Sequence, residues 1–410
     1  MEFELSQEEK LFREAVSEFA KRYIEPSWVE IDEKGRIPVD LIKRMGDQGL
    51  FAIPVPEKFG GGGGTYRMAA LAVEEVAYHD PSVATAVYML LNNGWPYVLY
   101  LFGGEDAAST VIPEVAKGRA FLGIASTEPH GGSDVAGITT TARRAGGKWV
   151  VSGEKVYISG VREVMEDLPN GGGWILLAKT EKPERDHRRI TAFLALGRWG
   201  GEKAKGIDYS LLTMVGRHGL STGILKFSEY EVEDSNVVGE VNRGFYIVHQ
   251  GFNLARILVA AATIGAARWA LDRALEWIRE RKLFGGKPIA SFQGVSFRFA
   301  ELYTELEAAK LLVYRAAWLA DKIYSEKDPA FKPQDLNVPA AMAKLKAPEV
   351  AVRVFEEVLK WMGAFGYSKE GAVYRGWLGV TSYVVGAEGA QNIMRYIIAR
   401  DTIGREYVKA

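Results

Sequence analysis

The stretch WVVSGEKVYI, residues 149–158, decides the fold, because it is rich in β-branched and aromatic residues and interrupts a chain of mainly helical patterns. Comparable short runs lie at residues 174–178, 190–196 and 224–232. Turns rich in glycine, asparagine and charged residues separate these runs. Together they predict a β-domain of roughly 115 residues.

Helical periodicity covers the sequence on both sides of this β-domain. Ser6 and Glu9 form a capping-box pattern ahead of an apolar stripe that runs from Leu11 to Tyr23. After the β-domain, helical patterns cover residues 245–284, 291–325, 338–362 and 387–404. Four long helices favour a bundle. The order of helices, strands and helices predicts an α+β, mainly α fold. Its three parts are an N-terminal α-helical domain (1–120), a central β-domain (121–238) and a C-terminal four-helix bundle (239–410).

Composition excludes several classes of function. The chain has 51 Lys and Arg against 52 Asp and Glu, so a net charge of −1 gives no bulk attraction to nucleic acid or anionic membranes. The absence of cysteine excludes disulfides, thiolate metal sites and a cysteine nucleophile. The five histidines show no metal-ligand spacing, and we expect no metal. The acidic start resembles no secretory signal, and we expect a cytoplasmic protein.

One uncharged stretch, from Pro81 to Gly104, is long enough to suggest a membrane span. The segment 92–96, Asn-Asn-Gly-Trp-Pro, interrupts it. We therefore predict two buried helices joined by a turn, because a turn in lipid would leave backbone polar groups unpaired.

Common catalytic and nucleotide-binding motifs are absent or out of context. The chain has no G-x-G-x-x-G, and the glycine run at 60–64 lacks the Gly-Lys-Ser/Thr of a P-loop. Residues 219–223, Gly-Leu-Ser-Thr-Gly, match the nucleophile elbow of serine hydrolases. A strand-like run follows Ser221 where an elbow needs a helix, so we expect a turn of the β-domain there.

Two segments carry candidate chemistry. Residues 126–135 combine hydroxyls, carboxylates and glycines in a loop that offers hydrogen-bond donors to an electron-rich ligand, although a plain reverse turn has the same composition. Near the C-terminus, Glu388 is flanked by Gly386, Ala387, Gly389 and Ala390. Glu388 is either a charge at a helix N-terminus or a base at the mouth of a cleft.

These segments and five others, in the same order, resemble the acyl-CoA dehydrogenase family over essentially the whole chain. The matching segments are Thr127–Asp134, Lys155–Ser159, Phe252–Arg256, Arg279–Gly285, Phe292–Gln293, Gly363–Tyr367 and the region around Glu388. The resemblance implies that the β-domain is barrel-like and that FAD lies between it and the bundle. It also implies that a neighbouring subunit holds the adenine half of FAD in a homo-oligomer, expected to be a tetramer.

The resemblance assigns roles residue by residue. The implied FAD-binding residues are Ile124, Ala125, Ser126, Thr127, Gly132, Ser133, Tyr157, Ile158, Ser159, Arg281, Leu283, Phe292, Gln293, Lys360, Met362, Gly363, Ala364, Ala390, Gln391 and Asn392. The implied substrate-binding residues are Ser133, Asn253, Arg256 and Gly389. The departures from the family pattern are Lys360 for Gln, Ala364 for Gly, His130 for a small residue, and Ala387 and Ala390 for Tyr and Thr.

The implied reaction is FAD-dependent α,β-dehydrogenation of an acyl-CoA thioester, with an electron-transferring flavoprotein or a similar acceptor. Glu388 is the expected α-proton base, since Ala255 occupies the alternative position for a base and cannot act as one. Two alternatives on the same fold stay open: an acyl-CoA oxidase and a flavoprotein that is not a dehydrogenase.

Overall fold

The computed structural model describes residues 4–180 and 187–408. Its N-terminal domain is helical, and its apolar helix faces meet in one core. The helices are α1 (Gln7–Tyr23), α2 (Trp28–Lys34), α3 (Val39–Asp47), α4 (Tyr66–His79), α5 (Ala84–Phe102) and α6 (Glu105–Ala116). The predicted capping box is present, because Ser6 and Glu9 exchange side-chain to backbone hydrogen bonds.

The turn predicted within residues 81–104 is wrong, because α5 runs through it without interruption. Pro96 cannot donate to the carbonyl of Asn92, and the backbone N–H of Ala52 donates to that carbonyl instead, at 2.9 Å. The amide of Asn93 accepts from Ile53 N at 2.8 Å and donates to Leu50 O at 2.9 Å. The polar residues of this buried helix therefore fasten it to neighbouring segments.

The central domain contains the predicted strands, in a sheet that mixes parallel and antiparallel pairs. Its strands are β1 (Ala120–Ala125), β2 (Thr141–Ala145), β3 (Lys148–Ser159), β4 (Gly171–Lys179), β5 (Ile190–Trp199), β6 (Glu202–Lys203), β7 (Ile207–Leu212), β8 (Thr222–Glu233) and β9 (Val237–Val238). The main path is β6-β5-β4-β2-β3-β8-β7, with β1 on β4 and β9 on β5. Strands β6 and β7 do not pair, so the sheet is open and not a closed barrel. The two exposed residues of β6 offer too short an edge for closure.

The C-terminal domain packs three long helices with shorter ones. Its elements are α7 (Gly244–Glu280), the small hairpin β10 (Lys282–Leu283) and β11 (Lys287–Pro288), α8 (Gln293–Ala320), α9 (Asn337–Met362), α10 (Ala364–Tyr367), α11 (Val373–Val385) and α12 (Gln391–Ile403). Helix α11 was not predicted, and α12 begins at Gln391, about four residues after the start of the predicted 387–404 pattern. Glu388 therefore lies in the connection between two helices.

Helix α7 is the central element of the domain. Among the described residues it is the one helix long and apolar enough to cross a membrane, but 89% of its most apolar window is buried inside the protein. It packs closely on α4, where a Cβ at Gly265 would lie 1.9 Å from the carbonyl oxygen of Glu74. Such a position accepts only glycine. Helix α7 thus joins the N-terminal domain to the bundle.

Candidate active site

The segment that carries Glu388 is a strained left-handed turn. Ala387 and Glu388 both have φ of +54°, and Gly389 has φ of +112°. Residues other than glycine rarely adopt this backbone conformation, and each one that does destabilises the fold by of order 1–3 kcal/mol. The small residues around Glu388 are therefore explained by the backbone: Ala387 is short and Gly389 is free to take a positive φ.

Two buried cations hold this turn. Arg256 on α7 donates from Nε to the carbonyl oxygen of Glu388 at 2.9 Å. Lys344 on α9 donates from Nζ to the carbonyl oxygen of Gly386 at 3.2 Å and also to that of Gly389. Arg256 is 2% exposed and Lys344 is 0% exposed. Because both donors come from long packed helices, they fix the turn against the bundle.

The carboxylate of Glu388 has the electrostatics of a base. Burial raises its pKa to about 7, although the charges of Arg256 and Lys344 lower it. Burial, together with the charge of Arg256, lowers the pKa of Lys344 to about 7. Burial also lowers the pKa of Arg256 to about 10. A carboxylate with a pKa near the working pH is suited to removing a proton from carbon.

A second group of predicted site residues lies on and beside a loop of the β-domain. This loop, residues 126–133, follows β1 and is fastened by the buried carboxylate of Glu128, which is 2.8 Å from Lys155 Nζ. Burial opposes ionisation of Glu128, but Lys155 and hydrogen bonds from Thr139 and Thr140 lower its pKa to about 2. Burial lowers the pKa of Lys155 to about 8. The ion pair fixes one side of the loop to β3.

A bulge in β3 brings Tyr157 beside the same loop. The pairing of β3 with β8 shifts between Lys155 and Ile158, and Tyr157 has φ of +59° and is 62% exposed. The backbone N–H of Val156 donates to the carbonyl oxygen of Thr127 at 2.9 Å. A bulge of this kind redirects a side chain out of the sheet. The loop at 126–133 and the bulge at Tyr157 therefore lie side by side on one surface of the β-domain.

A third group lies at one end of the bundle. Arg281 is exposed and its guanidinium lies over the ring of Trp277, 5.4 Å from the centroid. Trp277 stacks on Phe365 with centroids 5.2 Å apart, beside the turn of Met362, Gly363 and Ala364. Leu283, Phe292 and Gln293 share this end, and Lys360 there pairs with Glu357 at 3.0 Å. In the described part of the chain, no hydrogen bond, ion pair or ring contact joins this group to the β-domain loop.

Comparison with known proteins identifies the family. Models of the acyl-CoA dehydrogenase N-terminal, middle and C-terminal domains match residues 6–119, 123–230 and 242–403. The chain belongs to the acyl-CoA dehydrogenase family. A probable acyl-CoA dehydrogenase of Bacillus subtilis is 33% identical over 404 residues, covering 98% of this chain and 100% of that protein. Members of this family are oxidoreductases that act on CH–CH groups and bind FAD.

Solved structures of relatives share the whole fold. A glutaryl-coenzyme A dehydrogenase in complex with glutaryl-CoA has a TM-score of 0.88 and 30% identity, covering 100% of this chain and 98% of that chain. Butyryl-CoA dehydrogenase from Megasphaera elsdenii has a TM-score of 0.88 and 29% identity, covering 98% of this chain and 100% of that chain. The correspondence covers all three domains and agrees with the order of helices, strands and helices.

The β-domain surface has the donors that a flavin needs. The hydroxyls of Ser126, Thr127, Ser133 and Ser159 make no hydrogen bond to any described residue. Unpaired donors beside an exposed tyrosine suit a ring system rich in acceptors. The residues present therefore fit FAD on this surface.

Other predicted residues have structural partners. Arg256 Nη1 donates to Asn253 Oδ1 at 2.7 Å, and Asn253 Nδ2 donates to Asn337 Oδ1 at 2.8 Å. Gln391 is buried and donates to the carbonyl oxygen of Leu345 at 2.9 Å, whereas Asn392 is exposed. The polar atoms of Asn253, Arg256 and Gln391 thus support the Glu388 turn.

The sequence analysis missed Lys344. The signal was present, since Lys344 is the one charged residue between Asn337 and Leu345 on an otherwise apolar helical face. The sequence analysis correctly placed Ser221 in a turn before a strand. Ser221 is 6% exposed, donates to the Glu163 carboxylate and accepts from Arg162 N at 2.9 Å, so it is no nucleophile elbow.

Proposed function

We propose that this protein removes the α-proton and the β-hydride of a saturated acyl-CoA to give the trans-2-enoyl-CoA, with Glu388 as the base. The observation that carries the proposal is the Glu388 carboxylate, whose pKa is raised to about 7 and whose turn is held by Arg256 and Lys344. FAD, when bound, supplies the acceptor for the β-hydride.

The backbone beside Glu388 supplies the second requirement of the reaction, polarisation of the thioester carbonyl. The N–H of Glu388 donates to no acceptor among the residues that the structure describes. A fixed N–H close to the base stabilises the charge that develops on the carbonyl oxygen when the α-proton leaves. The same turn thus orients a proton acceptor and a hydrogen-bond donor.

The FAD sites are proposed in two parts. Residues 124–133 and 157–159 hold the flavin ring. The adenine half is held in a neighbouring subunit by the group at the end of the bundle, which comprises Arg281, Leu283, Phe292, Gln293 and Met362–Ala364. Support comes from the finding that no hydrogen bond, ion pair or ring contact joins the two groups among the residues 4–180 and 187–408. The proposal requires a homo-oligomer, for which we propose a tetramer, measurable by light scattering.

The proposed physiological acceptor is an electron-transferring flavoprotein in the cytoplasm. The alternative, an acyl-CoA oxidase, differs in the reaction of the reduced flavin with oxygen. Peroxide formed at the rate of turnover would favour the oxidase.

The test is anaerobic addition of saturated acyl-CoAs of increasing chain length to the FAD-loaded protein. We expect bleaching of the flavin and one enoyl-CoA per flavin reduced, identified by mass spectrometry. If no acyl-CoA bleaches the flavin, the proposed function is wrong.

A further inference from the structure

The connection between β1 and β2, residues 126–140, is closed at its base by the carboxylate of Glu128. Its Oε2 accepts from the backbone N–H and the hydroxyl of Thr139, at 2.6 and 2.7 Å, and its Oε1 accepts from Thr140 N at 3.0 Å. Lys155 Nζ donates to Oε1 at 2.8 Å. Because Glu128 is 2% exposed, these bonds are shielded from water, and they fix the base of the connection.

A tight turn directs the side chain of His130 across this connection. Glu128 and Gly131 exchange backbone hydrogen bonds, with N–O distances of 3.3 and 3.0 Å. Pro129 and His130 are therefore the two central residues of the turn. His130 Nε2 lies 3.1 Å from the carbonyl oxygen of Gly137, and Nδ1 lies 3.8 Å from Glu128 Oε2. A carbonyl oxygen can only accept, so Nε2 carries a proton and donates to Gly137.

The bond from His130 to Gly137 shortens the part of the connection that can move. The fixed base alone leaves residues 129–138 between two anchored ends. With the histidine bond, residues 131–136 are left, and we call this segment the tip. A shorter span between fixed points has fewer conformations, so less conformational freedom is lost when the tip orders around a ligand.

The tip carries two residues that are proposed to hold the flavin ring, Gly132 and Ser133. Both are exposed, and the Ser133 hydroxyl makes no hydrogen bond within residues 4–180 and 187–408. A Cβ at Gly132 would lie 3.2 Å from Thr127 Cγ2, so the tip packs beside a third residue of the same surface. The conformation of the tip therefore decides where these donors meet the flavin.

We propose that His130 is a positioning residue for FAD, whose bond to Gly137 orders the tip before FAD binds. A glycine or alanine at this position would lack the side-chain donor, so the chain with histidine should bind FAD more tightly. The inference rests on the proposed function, in which residues 124–133 hold the flavin ring, and it deepens that proposal. The side chain of His130 is 51% exposed, so its replacement opens no cavity in the core.

The first experiment measures the Kd of FAD by dialysing the FAD-loaded protein against a series of FAD concentrations. His130→Ala should raise the Kd by at least about twofold and up to about tenfold, the effect of one hydrogen bond. His130→Gln, whose amide can donate to the same carbonyl oxygen, should lie closer to wild type than His130→Ala. The matched control is His218→Ala, which also loses an Nε2 bond to a carbonyl oxygen, that of Met214 at 2.9 Å. Its Kd should equal that of wild type.

The second experiment measures amide hydrogen exchange by mass spectrometry, before and after FAD is dialysed out. In the FAD-free protein, the tip of His130→Ala should exchange about 2- to 10-fold faster than the tip of wild type, and His130→Gln should restore most of the protection. Amides of β2 should exchange equally in all variants, which also reports that the variants are folded.

The outcomes separate this inference from the proposed function. A Kd of His130→Ala within twofold of wild type, or unchanged exchange of its tip, would overturn the inference. If His130→Gln binds FAD as weakly as His130→Ala, the hydrogen bond to Gly137 is not the cause. If FAD protects no amide of residues 124–133, the proposed placement of the flavin is wrong. Exchange in the FAD-free protein then still decides whether His130 holds the tip.

Discussion

Glu388→Gln should abolish flavin reduction without weakening the fold. Glutamine keeps the size of the side chain but cannot accept the α-proton, and loss of a general base costs about 10²–10⁴-fold in rate. Anaerobic stopped-flow measurement of flavin bleaching, with FAD and acyl-CoA binding checked separately, reports this loss directly. Glu202→Gln on the exposed strand β6 is the matched control and should bleach at the wild-type rate.

The raised pKa of Glu388 also predicts the effect on stability. The difference between an ordinary value of 4.5 and about 7 corresponds to about 3 kcal/mol. Because the pKa is raised in the folded state, ionisation of Glu388 destabilises the fold. This penalty is absent below pH 4.5, grows as pH rises from 4.5 to about 7, and is constant above that.

Glutamine carries no such penalty. In urea unfolding, Glu388→Gln should therefore be more stable than wild type at pH 8, by up to about 3 kcal/mol, with a smaller difference at pH 5.5. Bleaching of the flavin in Glu388→Gln at the wild-type rate would show that the base lies elsewhere. A variant less stable than wild type at pH 8 would show that the carboxylate is not desolvated as described.

Three further results are expected. The rate of flavin reduction should rise about tenfold per pH unit up to pH about 7 and then level off, because Glu388 must be ionised; a flat profile between pH 5.5 and 7 would contradict this. Lys344→Met should slow bleaching more than tenfold, measured by stopped flow, because the Gly386 and Gly389 carbonyls lose their donor. The same change should lower the free energy of unfolding by about 1–3 kcal/mol, measured by urea unfolding. The control Lys346→Met, which breaks only the pair with Glu305, should leave both the bleaching rate and the free energy of unfolding close to those of wild type. Arg281→Ala should release FAD on dialysis more readily than wild type, and unchanged retention would place the adenine half elsewhere.

The fold was predictable where the signal is local. Strand β3 is visible in residues 149–158 because β-branched and aromatic residues favour strands wherever they pack. Helix α5 was not predictable as one continuous helix, because Asn93 and Pro96 are typical of turns and only tertiary partners permit a helix there. Those partners, Ile53 N and Ala52 N, lie about 40 residues earlier in the chain, so no window of sequence around α5 contains them.

The site was predictable in the same uneven way. Glu388 is conspicuous, because small residues surround a single carboxylate. Lys344 is not conspicuous in the sequence, because its contacts with Gly386 and Gly389 join positions 42 and 45 residues apart.

The geometry and the basicity of Glu388 depend on the same two residues. Arg256 and Lys344 hold the left-handed turn through its carbonyl oxygens, and their charges also oppose the effect of burial on the carboxylate. Without them, burial alone would raise the pKa further and leave the base protonated at neutral pH. With them in direct contact with the carboxylate, an ion pair would lower the pKa and weaken the base. Because both cations bind the backbone and not the carboxylate, the turn can be rigid while its side chain remains free to take a proton.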